Sequence, residues 1–500
     1  MKFSRSGGIL LHPSSLPGQY GIGDFGPNSY RFIDWLSNSG CKLWQVLPLG
    51  HTGYGDSPYQ CFSAFAGNPY LVSPESLLKE GLLREFDLEE NPGFSAERVD
   101  FGRIIPWKLS LLEKAFNRFQ EAHPVDLMKD FAVFRAENSS WIEDYALFMA
   151  LKESNGGGSW LDWPSQFRKR DEHALDEARQ SLGQSVLKFA FYQFLFFRQW
   201  YALREYARNK NIKIIGDIPI FVAADSSDVW AHPELFLLDE DRKPTVVAGV
   251  PPDYFSPTGQ LWGNPLYNWE VHSRTSYSWW LERIDAILKG VDIVRLDHFR
   301  GFAAYWEIPA GKPTAEIGRW VPGPGVVFFE AVANHLKSIG NKGVLPIIAE
   351  DLGFITSDVV ELRMRYNLPG MKILQFGFSA PDNPFLPHGY IQNCVAYTGT
   401  HDNDTGRGWL NAAPKHEHEF ALSYLHSSKR EFVWNMIRSI WSSVAIFAVT
   451  PMQDLLDQGT ESRMNYPSRL GGNWVWRMKE EDLSDELLTK LSEINYLYER

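Results

Sequence analysis

The chain has 500 residues, with 61 acidic against 49 basic side chains and a formal net charge of −12 at pH 7. That charge argues against nucleic acid and anionic membrane surfaces as partners, and leaves neutral substrates open. Hydrophobic residues make up 44%, enough for a large core, and the length fits a barrel of about 250 residues carrying large insertions.

The N-terminus, MKFSRSGGILLHPSSLPG, lacks a continuous apolar signal core. No apolar run reaches the roughly 18 residues of a membrane span. The nearest, 186–197 and 444–449, are short, and Lys188 interrupts the first. Three cysteines, Cys41, Cys61 and Cys394, make no disulfide framework and suit a reducing cytosol, so a cytoplasmic location is expected.

Eight short apolar, mostly β-branched runs read as strands buried on both faces: 8–11, 43–49, 212–215 (running into Asp217), 293–296, 345–349, 371–376, 394–398 and 445–450. Amphipathic segments at 30–38, 277–288, 327–338 and 429–443 read as helices between them. Strands with helical crossovers predict an α/β fold, a single (β/α)8 TIM barrel over 1–500. The gap after the second strand is too long for one crossover. Helical patterns at 107–121, 141–152 and 173–208 make 50–210 an inserted helical subdomain on a barrel loop. The stretch 223–276, with VVAGVPPDYFSPTGQLWGNPLYNW, shows neither helical nor strand period and reads as an inserted active-site loop region. Little chain follows the eighth strand, so no C-terminal β-sandwich domain is expected.

Three of these strands end abruptly in acids: Asp297 in VRLDHF, Glu350 in IAED and Asp402 in GTHD. A lone acid after a strand is usually a helix cap or a surface charge. Three at the C-terminal ends of barrel strands point carboxylates into one pocket, where sugar-bond chemistry uses one to attack, one to move a proton and one to steady the sugar. Arg295, two residues before Asp297 on the same strand face, is placed to keep a nucleophilic carboxylate ionised. Burial near other carboxylates favours Glu350 as proton donor. The aromatic share of 14%, with 19 Trp, fits a glycan binder as well as a packed core.

Other motifs fail on context. Gly21, Gly23 and Gly26 form a GxGxxG, but the preceding strand ends near Leu11 and no acid follows at the ribose-binding distance. His401, Asp402 and Asp404 match no zinc or EF-hand spacing, so neither metal nor cofactor is expected.

On these residues the chain closely resembles the amylomaltases, the 4-α-glucanotransferases or disproportionating enzymes of glycoside hydrolase family 77. The resemblance runs through ILLHPSSLPGQYGIGDFG, SPYQCFSAFAGNPYLVS, GDIPIFVAADSSDVW, VRLDHFRGF, IIAEDLG, YTGTHDNDT and PMQDLLDQGTESRMNYP, in order along nearly the whole chain. Gly406 stands where members often carry a second threonine. The resemblance implies Asp297 as nucleophile, Glu350 as general acid/base and Asp402 as the acid holding the donor sugar's hydroxyls. It places Arg295, His298, His401 and Asp217 around the donor sugar, Tyr59 as a ring stacked at the cleavage point, and Trp262 as an aromatic wall. Phe376 and Asn473 become neighbours of the glucan, and Tyr54 part of a secondary glucan site. The implied substrates are maltooligosaccharides, amylose, starch or glycogen, with glucose as an acceptor, and the implied reaction is a retaining double displacement. Its two carboxyls should stand about 5–5.5 Å apart. The rival readings are an α-amylase-type hydrolase, a catalytically silent glucan binder and an NAD-dependent enzyme.

Overall fold

The structure, a computed structural model, describes residues 3–252, 256–340, 345–467, 469 and 471–500. Twelve strands occur among them: β1 (Ser6–Leu10), β2 (Leu43–Gln45), β3 (Lys213–Ile218), β4 (Val246–Val250), β5 (Gln260–Pro265), β6 (Ile293–Leu296), β7 (Ala304–Pro309), β8 (Arg319–Pro322), β9 (Ile347–Ala349), β10 (Gly370–Ile373), β11 (Cys394–Tyr397) and β12 (Phe447–Pro451). Eight of these close a barrel in the order β1-β12-β11-β10-β9-β6-β3-β2, with every neighbouring pair parallel. Each expected strand coincides with one of the eight, because strands covered on both faces must be apolar along their whole length. Helices Pro27–Asn38, Ser278–Gly290, Gly325–Ser338 and Phe432–Ser442 cross between strands as expected.

Between β2 and β3 the chain is mainly helical, with Phe101–Ala122, Val125–Glu137, Ile142–Ser154, Glu172–Ser181 and Gly183–Asn209. The single helical pattern expected over 173–208 is two helices. Gly183, with its costly backbone freedom, opens the second one.

The stretch expected to have neither helical nor strand period contains β4 and β5. They join β7 and β8 in a second, antiparallel sheet of order β5-β4-β7-β8. Glycine and proline hid the strand period there. Register shifts between Val247 and Gly249, and a Cβ on Gly249 would meet the Gln260 carbonyl oxygen at 2.2 Å, so glycine is what permits the close pairing. Residues Asp253, Tyr254 and Phe255 of this motif lie outside the described residues.

The GxGxxG loop serves packing. A Cβ on Gly23 would lie 2.0 Å from the Pro13 carbonyl oxygen, and Gly26 is the N-cap of the first helix, with Pro27 at its first position. After β12 come helices Met452–Leu455 and Asp485–Leu497, with no strand among the described residues. No helix among the described residues is long and apolar enough to cross a membrane.

Candidate active site

The acids stand at the C-terminal end of the barrel because parallel register carries them there. Asp217 on β3 pairs with Arg295 on β6, and Leu296 pairs with Ala349. The ladder then continues past the strand ends. Asp297 N–H donates to the Ile218 carbonyl at 3.0 Å, Glu350 N–H to Leu296 at 3.0 Å, and Phe299 N–H to Glu350 at 3.1 Å. Asp297 and Glu350 therefore sit side by side at one level, just past the ends of the neighbouring strands β6 and β9, pointing the same way.

Arg295 is the electrostatic centre. Its guanidinium, 5% exposed, forks to Asp217 Oδ2 at 2.6 Å and Asp297 Oδ1 at 2.7 Å. Burial works against its charge, but Asp217, Asp297, Tyr59 and Glu350 outweigh it and push the pKa upward. Tyr59 O–H donates to Asp217 Oδ2 at 2.9 Å. Burial, reinforced by Asp217, pushes that phenol well above its ordinary range, so it remains a donor. Burial lifts Asp217 to about 6 despite Arg295, and its Oδ1 has no protein partner.

Glu350 takes two backbone donors, His298 N–H on Oε2 at 2.7 Å and Leu352 N–H on Oε1 at 2.9 Å. Both favour the carboxylate. Burial and the neighbouring Asp297 charge oppose them and raise the group to about 8. His298 adopts a left-handed backbone (φ +49°), a costly conformation in a non-glycine residue that aims its N–H at Glu350. Burial pushes its ring down to about 4, so it is neutral at pH 7. Its Nε2 has no protein partner, and the indole of Trp262 meets it edge-on with centroids 4.8 Å apart.

Asp402 follows β11 on a loop. Burial would raise it, but His401, Asn465 and Arg295 together hold it well below the usual carboxylate range. His401 Nε2 lies 3.3 Å from Oδ2, and Asn465 Nδ2 donates to Oδ1 at 2.6 Å. Arg463 braces the same turn, donating to the Asp402 carbonyl at 2.5 Å and to the Asn465 carbonyl at 2.7 Å. The His401 ring stacks on Tyr59 at 5.1 Å and 16°, and Trp474 leans on both at 5.9 Å.

The fold thus brings together Asp217, Arg295, Asp297, His298, Glu350, His401, Asp402, Tyr59 and Trp262. Phe376 stands past the end of β10 on the same rim, its ring edge-on to Phe385 at 5.7 Å. Asn473 spends its amide inside its own turn, accepting from Tyr466 N–H at 3.0 Å and donating to the Arg469 carbonyl at 2.9 Å. Tyr54 is 80% exposed, at the start of the short turn Tyr54–Asp56. Asn465, Arg463 and Trp474 escaped the sequence reading. They lie in the ESRMNYP…GNWVW motif, whose loop residues carry no periodic signal.

Among the described residues no cluster of three or more His, Cys, Asp or Glu is arranged to hold a metal ion. The positive charge at the centre is Arg295. A neutral acid beside a paired carboxylate, with a further carboxylate and aromatic rings around them, is equipment for cleaving and remaking a glycosidic bond.

Comparison with known proteins agrees. The family model described as 4-α-glucanotransferase matches residues 11–484. A 4-α-glucanotransferase of Thermus thermophilus is 51% identical over 495 residues, spanning 97% of each chain. A chloroplastic/amyloplastic 4-α-glucanotransferase of Solanum tuberosum is 46% identical over 97% of this chain and 84% of its own. An amylomaltase of Streptococcus agalactiae, solved in complex with acarbose, superposes with a TM-score of 0.95 at 41% identity over 99% of both chains. With barrel, acids and relatives in agreement, the chain belongs to the 4-α-glucanotransferase (amylomaltase) family.

Proposed function

We propose that this chain moves α-1,4-glucan segments from a donor maltooligosaccharide or starch chain to the 4-hydroxyl of an acceptor glucan or glucose. Asp297 Oδ attacks the anomeric carbon. The bond to the departing oxygen breaks, and Glu350 gives that oxygen its proton. A β-linked glycosyl-enzyme results. Glu350, now a carboxylate, takes the proton from the acceptor's 4-hydroxyl as its oxygen displaces Asp297 and restores the α-linkage. Two displacements give retention.

The observation that carries this reading is the shared level of Asp297 and Glu350 at the ends of the adjacent parallel strands β6 and β9. Adjacent strands lie about 4.8 Å apart, which suits the roughly 5–5.5 Å between carboxyls of a retaining pair. Asp402, held ionised, binds the donor's hydroxyls and strengthens that hold as positive charge develops on the ring. Tyr59 stacks against the donor sugar, Asp217 and Arg295 shape its pocket, and the neutral His298 and the Trp262 wall flank it. Residues 50–210, as a helical subdomain, and 223–276 would enclose the cleft so that a sugar rather than water completes the second step. The three cysteines are free and two are buried, which fits a cytoplasmic setting.

Incubation with maltotriose tests the reading. Transfer yields glucose and a ladder of longer maltooligosaccharides. Maltose and glucose with nothing longer would instead mark a plain hydrolase.

A further inference from the structure

The loops that carry Asp297 and Glu350 are zipped together above the barrel. His298 N–H meets Glu350 Oε2, Phe299 N–H meets the Glu350 carbonyl, and Arg300 Nη1 meets the Phe354 carbonyl. The zip ends in a stack. The Arg300 guanidinium lies 3.8 Å from the centroid of Trp320 and 5.6 Å from that of Phe354. Trp320, on edge strand β8, is braced edge-on by Trp306 of β7 at 5.3 Å. Arg300 is 6% exposed, whereas Phe354 is 70% exposed.

A phenylalanine left in water forgoes about 1.5–3 kcal/mol of burial. Here its backbone is pinned by Arg300 and preceded by Gly353 at φ +81°, so the ring is offered to solvent on a fixed mount. Phe354 is four residues beyond Glu350, hence no more than roughly 14 Å from it along the chain. That is a few sugar units at most. Direction follows from the chemistry. The donor-side groups Tyr59, Asp217, His401 and Asp402 come from the ends of β2, β3 and β11, while Glu350 hands its proton to and from the oxygen of the leaving or incoming chain. Phe354 follows Glu350 on β9's loop, and Trp320 on β8 joins it through the Arg300 guanidinium.

We propose that the Phe354–Arg300–Trp320 stack is an outer platform for the acceptor chain, taking the apolar face of a neutral α-1,4-glucan a few units from its reacting 4-hydroxyl. The assignment rests on the transfer reading and on Glu350 as its proton carrier. The platform favours long acceptors, since a single glucose ends short of it.

The test uses a donor that cannot itself accept, α-maltotriosyl fluoride deoxygenated at the non-reducing 4-position, with glucose or maltotetraose as the added acceptor. In Phe354→Ala the ratio of kcat/KM for maltotetraose to that for glucose should fall roughly three- to tenfold, the worth of one aromatic contact. Phe354→Trp should restore it. An unchanged ratio, or a loss that Trp does not rescue, overturns the platform. Failure of the parent protein to use any acceptor, with fluoride still released to water, would instead overturn the transfer reading. The exposed ring makes both variants tolerable to the fold, which a thermal melt verifies.

Discussion

His298 N–H donates to Glu350 Oε2 at 2.7 Å, so the residue that follows the proposed nucleophile holds the proposed proton donor. This bond fixes where the proton is delivered. It does not keep the group ionised, because burial and Asp297 raise Glu350 to about 8. The acid is neutral at pH 7, as the first step needs, and one step later the same group must accept a proton. The unlike surroundings of the two carboxyls, one acid neutral and its neighbour bound to Arg295, are what assigns the two roles.

The first prediction concerns pH. kcat/KM for maltooligosaccharides should fall on the alkaline side with an apparent pKa near 8, a property of the coupled pair rather than of one residue. A donor with a good leaving group, such as a glycosyl fluoride, needs no proton in the first step, so its glycosyl-enzyme formation should lack that limb. An identical limb for both donors would remove Glu350 from the acid role.

Substitution separates the two carboxylates. Glu350→Gln should slow maltotriose turnover roughly 10²–10⁴-fold, the usual worth of a general acid, while sparing the first-turnover burst of fluoride from the activated donor. Asp297→Asn should abolish both, and trapped glycosyl-enzyme should vanish from the mass spectrum. Fluoride release surviving in Asp297→Asn would send the nucleophile elsewhere.

The three acids were legible because a strand buried on both faces is a continuous apolar run, and a charge at its end stands out. The same logic marked all eight barrel strands. It failed for β4 and β5, where Gly249, Gly263 and the prolines break the pattern and β4 also pairs with β7, a strand remote in sequence. It also failed for Asn465, a lone amide on a loop whose importance lies only in reaching Asp402 from 63 residues away. Asn473 lies further along the same loop, where its amide bonds the backbone of Tyr466 and Arg469.

Asn465 is therefore a sharp test of the geometry. Its bond to Asp402 Oδ1 is charge-assisted, worth about 1.5–3 kcal/mol. Asn465→Ala should lower kcat/KM roughly 10–150-fold, mostly in kcat if the bond tightens as the sugar ring gains charge, with little change in thermal midpoint. Unaltered kinetics would mean that His401 and Arg463 suffice to position Asp402.

The last prediction lies beneath the site. Asp454, 2% exposed, accepts from Gly406 N–H at 2.6 Å on Oδ1 and from Thr398 Oγ1 at 2.5 Å on Oδ2. Thr398 in turn meets Thr450 Oγ1 at 3.0 Å, so one carboxylate ties the ends of β11 and β12 to the start of helix Gly406–Ala412, beyond the Asp402 loop. Burial raises Asp454 to about 6 against these bonds. A carboxyl whose folded pKa exceeds its unfolded value binds more protons folded than unfolded, so its contribution is most favourable below about pH 4 and is lost as pH rises through 6. At pH 8 the buried charge then costs roughly 2–3 kcal/mol. Asp454→Asn keeps the acceptor for Gly406, and the Thr398 hydroxyl has only to turn toward Thr450 to accept from the new amide. The variant should thus unfold at higher denaturant than the parent at pH 8, with the gap closing toward pH 4. A variant less stable at pH 8 would show that the charged bonds of Asp454 outweigh its desolvation, and that the loop is held by the carboxylate's charge rather than by its shape.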